Sequence, residues 1–580
     1  MIATLIQIGK AMRDAYPMPF VEVPYKGVRE SMDEPKVIVV ELDNREGSLS
    51  LKKIYLADYS VEDAKNKYFF RSGKSKGAAP TLSFKLPPKS STLRERLKVL
   101  NNLGYRSNEE ELSIRIEEFA DRLRKEKAIG KNVLVVLKID GKWPSENERL
   151  VTGFIEETLR NLGDNKFRKF WKVESICHGC GQKKIVYGGV GDLLKFYTVD
   201  KYGYAPSLNP KYAWKQYGLC KECILDLERG KRTVDEFLKW NFYGKEFWLL
   251  PVSTGNLRTT LEEFKNFYSE IKGRAHKEGY ESIEDRLIYE ASVREEVTFY
   301  HFVFVKAENQ AFRILLHIEE VLPSVLAQYV YTKREVEDDF NSFLHEFIND
   351  KEGFRFNFFT SSDLKATKQK TGFTDEDFFM LVDKVFRRSP VDERYLISKA
   401  ISRISKDMAE AGEHARIPRW SVLETLLSLE FLLKWGILKR KTGGVEMSSL
   451  PYAEFFERHG DFFNHPAKRA LVLLGVIVQK FLNYQYKERN STPFMKVLKN
   501  LRLDQKDVHS IFTALQNKMN EYGIGHWWPE LREGISLYFI EGGDKWPLSP
   551  DEIGFYIAVG MSLHSHPIFG RSEEGKSDNE

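Results

Sequence analysis

The sequence predicts an α+β protein: a mixed α/β N-terminal region with an embedded four-cysteine zinc module, and a C-terminal helical bundle. Three observations carry this expectation. Strand-like apolar runs mix with amphipathic stretches early in the chain. The four cysteines of the 580 residues fall in two Cys-x-x-Cys pairs between positions 177 and 223. From about residue 391, apolar residues recur mostly at helical spacing. The expected boundaries are 1–166 for the N-terminal region with its basic loop, 167–240 for the zinc module, 241–390 for a second mixed region, 391–570 for the bundle and 571–580 for a disordered tail.

Taken in order, Val37-Ile-Val-Val-Glu-Leu42 and Val133-Leu-Val-Val-Leu-Lys-Ile139 read as strands, and 109–126 as an amphipathic helix. Between the strands lies Phe70-Arg-Ser-Gly-Lys-Ser-Lys-Gly-Ala-Ala-Pro80, a basic loop of small residues. The second cysteine pair runs into Ile224-Leu-Asp-Leu-Glu-Arg-Gly230, which should open a helix. Val297–Val305 alternates as a strand does, whereas Ala311–Val321 has helical periodicity. Segments 396–411, 420–437, 466–486, 507–521 and 550–562 are the strong C-terminal helices, and antiparallel packing would bury their stripes.

Composition is globular: 42% hydrophobic and 30% charged. The first residues lack a signal-peptide pattern. Ala470–Val478, an apolar run, is too short to span a bilayer. A soluble, cytoplasmic protein is expected, and abundant Lys, Arg and Glu lean toward a thermophile. A net charge of +5 does not make the chain a polycation, so a nucleic-acid surface must come from local clustering.

Cys177-His-Gly-Cys180 and Cys220-Lys-Glu-Cys223 supply the four thiolates of a closed structural Zn²⁺ site. Gly179 and Gly181 suit the first turn. A disulfide pair would need an oxidising compartment, and a redox pair would need a strand-to-helix βαβ setting. His178 is a turn residue that could replace a thiolate.

No catalytic constellation emerges. Gly73-Lys74-Ser75 lacks the upstream glycine of a phosphate-binding loop, and no HExxH or kinase signature occurs. His564-Ser-His566 reads as a helix-end polar pair, and Glu335-Val-Glu-Asp-Asp339 as a solvated helix face. For nucleic acid, Arg71, Lys74 and Lys76 sit among glycines that permit close approach to phosphates. In the zinc segment, Lys183, Lys184, Lys195, Lys201, Lys211 and Lys215 alternate with Tyr187, Tyr212, Trp214 and other rings. Exposed rings would stack on unpaired bases, while buried ones would simply build the module's core. Arg387-Arg388 and Lys439-Arg440-Lys441 are further basic clusters at segment junctions.

The order of these pieces resembles the large subunit of type I-B CRISPR Cascade complexes. The resemblance is carried by Tyr68–Gly77, the first knuckle, Phe196-Tyr-Thr-Val-Asp-Lys-Tyr-Gly203, Ala213–Cys220, Asn309–Pro323 and Gly554–Gly560. It implies a non-catalytic subunit that reads the protospacer-adjacent motif in duplex DNA and stabilises the R-loop. It also implies as partners crRNA, the other Cascade subunits and a helicase-nuclease recruited in trans. In related systems the C-terminal bundle is also made separately by internal translation. Gly443-Gly-Val-Glu-Met447 permits a ribosome-binding sequence just upstream of Met447, giving a 134-residue product. The competing readings are a nucleic-acid-processing enzyme with a structural zinc site, and a zinc-stapled assembly scaffold.

Overall fold

The computed structural model describes residues 1–17, 36–60, 63–64, 67–68, 83–86, 97, 100–129, 133–163, 172–194, 196, 206–273, 283–308, 311–344, 374–411, 417–439 and 450–569. They fall into two units. One contains Met1–Gly273 and Glu295–Glu319, the other Arg274–Arg294 and Glu320–Glu580.

In the first unit, β1 (Lys36–Arg45) and β2 (Ser48–Asp58) form an antiparallel hairpin. Its turn needs positive φ at Glu46 (49°) and Gly47 (87°), and the Asn44 side chain accepts the Gly47 N–H at 2.9 Å. With β3 (Ser83–Leu86), β4 (Arg106–Ser107) and β5 (Val133–Ile139) they make a five-stranded sheet in the order β3-β5-β1-β2-β4. Val37 through Leu42 are all buried, so β1 reads as an unbroken apolar run rather than an alternating one. Val37, Val39, Leu134 and Val136 pack with Ala64 and Tyr68, and Trp143 covers this cluster.

β5 runs parallel to β1, which requires a crossover. The helix Glu109–Lys125 lies in that connection, within one residue of its expected span. Asn108 caps it by accepting the Glu111 N–H at 3.2 Å, and acidic residues open it while basic ones close it.

The cysteine segment forms a small sheet of β6 (Lys172–Ile176), β7 (Lys183–Tyr187) and β8 (Leu219–Cys220). The helix Lys221–Thr233 follows directly. Next comes a four-stranded sheet of β9 (Lys239–Phe242), β10 (Lys245–Val252), β11 (Phe299–Glu308) and β12 (Ala311–Val321), in the order β12-β11-β10-β9. β11 covers most of the expected strand Val297–Val305, but Tyr300 through Val305 are all buried, so its two faces do not alternate between core and solvent. β12 corrects the expected helix at Ala311–Val321. Its apolar residues satisfy either period, and what decides is a non-local demand: β12 pairs with the backbone of β11.

The second unit is mostly helical among the described residues. Glu393–Ala411, Arg419–Lys434, Pro466–Arg489, Gln505–Glu521 and Pro550–Leu563 lie on the five expected segments, with ends shifted by a few residues. Pro323–Leu344, Asp375–Phe386 and Pro529–Gly542 add to them, with a short parallel pair, β13 (Val391–Asp392) and β14 (Leu438–Lys439). Every residue from Glu552 to Leu563 is buried, so this helix forms the centre of its unit. Among the described residues, no helix is long and apolar enough to cross a membrane.

Each unit has a helix pair whose backbones meet at glycine. In the first, a Cβ on Gly9 would lie 1.7 Å from the Asp226 carbonyl oxygen, and one on Gly230 would lie 1.9 Å from that of Leu5. In the second, a Cβ on Gly475 would lie 2.1 Å from the Ile557 oxygen, and one on Gly560 would lie 1.9 Å from that of Val472. The obstacles are backbone atoms, so neither pair can accommodate alanine without separating. Gly230→Ala and Gly560→Ala should each destabilise the protein by on the order of 1–3 kcal/mol. Thermal unfolding of the full chain checks this, and unchanged melting would contradict the packing.

Candidate metal centre

The first knuckle is the tip of the β6–β7 hairpin, whose last pair is Ile176 with Lys183. The Cys177 N–H donates to the Gln182 oxygen at 2.9 Å, and the Gly181 N–H to the Cys177 oxygen at 2.8 Å. Gly181 has φ +70°, a left-handed position that favours glycine. Gly179 is required for a different reason: a Cβ there would lie 2.9 Å from Cys223 Sγ and 2.9 Å from Ile6 Cδ1.

The second pair arrives through β8. Cys220 pairs with Val186 of β7, which brings it to the first knuckle despite the long intervening segment. It is also the N-cap of the helix Lys221–Thr233, so Cys223 falls in that helix's first turn. The positive end of the helix dipole there favours thiolates.

One sulfur from each of Cys177, Cys180, Cys220 and Cys223 lies within 4.8 Å of the others. Cys180 and Cys220 are 3.9 Å apart. Tetrahedral zinc with Zn–S bonds of about 2.3 Å would place its sulfurs about 3.8 Å apart. The 3.9 Å separation fits that geometry and is far beyond a disulfide bond. Cys177, Cys220 and Cys223 are buried and Cys180 is exposed.

The electrostatics ask for a cation. Burial raises the Cys220 thiol to about 12 and also pushes Cys223 up, where the charges of Cys177 and Cys220 add to the effect. At Cys177, burial acts the same way, but backbone N–H groups of Cys220, Cys180 and Gly179 outweigh it and lower the thiol. Two of these donate to Cys177 Sγ, Gly179 at 3.3 Å and Cys220 at 3.2 Å. A soft dication is what such a set of sulfurs would accept.

His178 stands outside the sulfur cluster as an exposed turn residue. Its backbone N–H donates to the Gly218 oxygen at 3.0 Å, and its Nδ1 accepts the Gly218 N–H at 3.1 Å. Its ring stacks on Tyr217, with centroids 5.4 Å apart. It therefore ties the first knuckle to the chain that delivers Cys220.

The sequence reading missed the N-terminal helix Ile2–Ala11, although Ile2, Leu5, Ile6 and Gly9 carry helical spacing. This helix packs on Lys221–Thr233. Arg13 anchors its end with a bidentate pair to buried Asp226, Nε to Oδ1 at 2.9 Å and Nη2 to Oδ2 at 2.5 Å. Arg229 donates to the same carboxylate at 3.1 Å and to the Tyr16 carbonyl at 2.8 Å.

Among the expected nucleic-acid contacts, Arg71, Lys74, Lys76 and Lys201 lie outside the described residues, as does Met447. Lys183 and Lys184 are on β7, 4.0 Å from Glu174 and 3.3 Å from Glu222 respectively. Tyr187 is buried, whereas Tyr212 is 38% exposed. Lys215 Nζ sits 4.3 Å from the Tyr212 ring centroid and 5.6 Å from that of Trp214. Arg387 pairs with Asp383 at 2.6 Å, and Arg388 lies 4.5 Å over Trp435, so this basic pair is engaged within its own unit. Glu335 and Asp339 both hold Lys434, at 2.8 and 2.6 Å. His564 Nδ1 meets the Met561 oxygen at 2.8 Å, and His566 Nδ1 accepts the Ile568 N–H at 3.2 Å, so both close a helix end.

Fold and site together define a mixed α/β protein with a four-cysteine cluster able to hold a metal and a mostly helical second unit. Residues 174–321 match the central domain of CRISPR-associated protein TM1802, and residues 356–574 match its C-terminal domain. The chain is 22% identical over 494 residues to CRISPR-associated protein Cas8b of Haloferax volcanii, covering 73% of this chain and 67% of that protein. The chain belongs to the family of these proteins, the Cas8 large subunits of type I-B CRISPR systems.

The purified chain should carry one equivalent of zinc at these cysteines. Zinc binding displaces thiol protons, so affinity should fall as pH falls. Cys223→Ser should weaken binding at least about 100-fold, and Cys180→Ser less, because water can reach the exposed position. Competition with a chromophoric chelator across pH measures both effects.

Proposed function

We propose that this chain is the non-catalytic large subunit of a crRNA-guided antiviral surveillance complex in the cytoplasm. In this reading it recognises the protospacer-adjacent motif in duplex DNA, stabilises the R-loop and recruits a separate helicase-nuclease. Its partners are crRNA, the other subunits of the complex and the target duplex. Zn²⁺ at Cys177, Cys180, Cys220 and Cys223 is structural. The observation that carries the reading is the match over residues 174–321, which spans the four-cysteine cluster.

Duplex inspection has to be fast and largely electrostatic, while base pairing by the guide carries target sequence. The cations assigned to it are Arg71, Lys74 and Lys76 in the glycine-bearing loop, with Lys183, Lys184 and Lys201 in the cysteine segment. A phosphate meeting Lys183 or Lys184 must replace Glu174 or Glu222. Exposed ion pairs of this kind are worth little, so the exchange is feasible.

Assembling the complex with and without this chain, then titrating targets with varied flanking motifs, tests the function. Omission should abolish motif discrimination; intact discrimination would refute the proposal. Charge reversal at Lys74 and Lys76 should weaken binding and reduce the salt slope by about 1 for each phosphate no longer neutralised. Normal affinity after reversal would favour the scaffold reading.

A shorter product beginning at Met447 belongs to the same proposal. It would contain Pro466–Arg489, against which both Pro529–Gly542 and Pro550–Leu563 pack. Expression of the natural gene should yield a 134-residue C-terminal chain. Substitution of the Met447 codon should remove that chain and leave the full-length one.

A further inference from the structure

A second group of metal-ligating side chains lies away from the cysteines. His301 is on β11, and His317 and Glu319 are on its hydrogen-bonded neighbour β12. One ligand atom from each lies within 4.8 Å of the others. The two imidazole centroids are 5.4 Å apart, and His317 Nδ1 is 3.5 Å from Glu319 Oε1.

His301 is only 8% exposed, and its Nδ1 is buried without a hydrogen-bond partner. Leaving such a buried group unsatisfied is costly, so its persistence asks for a ligand. We propose that His301, His317 and Glu319 form a second metal site, taking a divalent transition-metal ion of the zinc class.

The donor chemistry selects that class. Two imidazoles with one carboxylate suit zinc, cobalt, nickel or ferrous iron, whereas magnesium and calcium prefer all-oxygen shells. A neutral imidazole is the form that ligates a metal, and the burial of His301 favours that form. Three protein ligands leave a fourth tetrahedral position for water. Glu319 is exposed and gives the ion a way in. The bound ion would clip β12 to β11.

Cobalt loading of the full chain separates this site from the four cysteines. Metal-free protein titrated with Co²⁺ should bind two equivalents. One should show thiolate-to-cobalt charge transfer, and the other only ligand-field bands. His317→Gln and Glu319→Gln should each weaken the second equivalent at least about tenfold and leave the charge-transfer band unchanged. Both residues are more accessible than His301, so thermal melting of the metal-free variants should match the parent. An equivalent bound without any charge-transfer band would still support this site while faulting the cysteine centre. A single equivalent confined to the thiolates, or a second that survives both substitutions, would overturn the proposal.

Discussion

The contact between the helices Ile2–Ala11 and Lys221–Thr233 is the constraint on which the first unit turns. Gly9 and Gly230 let the two backbones touch, because a methyl group at either position would run into a carbonyl oxygen. The second helix presents Cys223 in its first turn and Asp226 one turn later. Asp226 receives Arg13, and Ile6 reaches the knuckle glycine Gly179. One interface thus fixes the helix that carries Cys223, satisfies a buried carboxylate and closes the back of the four-sulfur cluster. Close approach of this kind gains dispersion over a long seam, and it tolerates no added volume.

The cysteine centre was the most legible feature in the sequence, because the spacing within each pair states the chemistry directly. The delivery of the second pair was not legible. It depends on β7–β8 pairing, which joins Val186 to Cys220, and on His178 gripping Gly218, 40 positions away. The strands β1 and β5 were visible as apolar runs because both of their faces are buried. Ala311–Val321 was misread because a run such as Ile314-Leu315-Leu316 fits either period, and only its neighbour β11 decides. That misreading also hid His317 and Glu319, which a helix would not have set beside His301. The N-terminal helix went unassigned although its spacing was present. Its partner lies more than 200 residues away, and nothing local marks that contact.

The charged residues divide along similar lines. Basic pairs that looked like candidate phosphate contacts, such as Arg387-Arg388, are engaged inside the protein with a carboxylate and an indole ring. The lysines of β7 are held more loosely, by exposed glutamates. Lys215 covers two aromatic rings, so Tyr212 and Trp214 already have a cation over them. Charge density in a sequence therefore overstates the cations that remain available for a ligand, and the discount differs from cluster to cluster.

Because Arg13 and Asp226 are 213 residues apart, the first helix leaves the ribosome long before its partner exists. At ordinary elongation rates the delay is roughly 10–40 s. Throughout it, the apolar stripe of Ile2–Ala11 is newly made surface with nothing of its own to cover it. The cysteines emerge ahead of and within the partner helix, so the four sulfurs and the cover for that stripe come together at the same stage of synthesis. A segment made early thus waits for a partner made late.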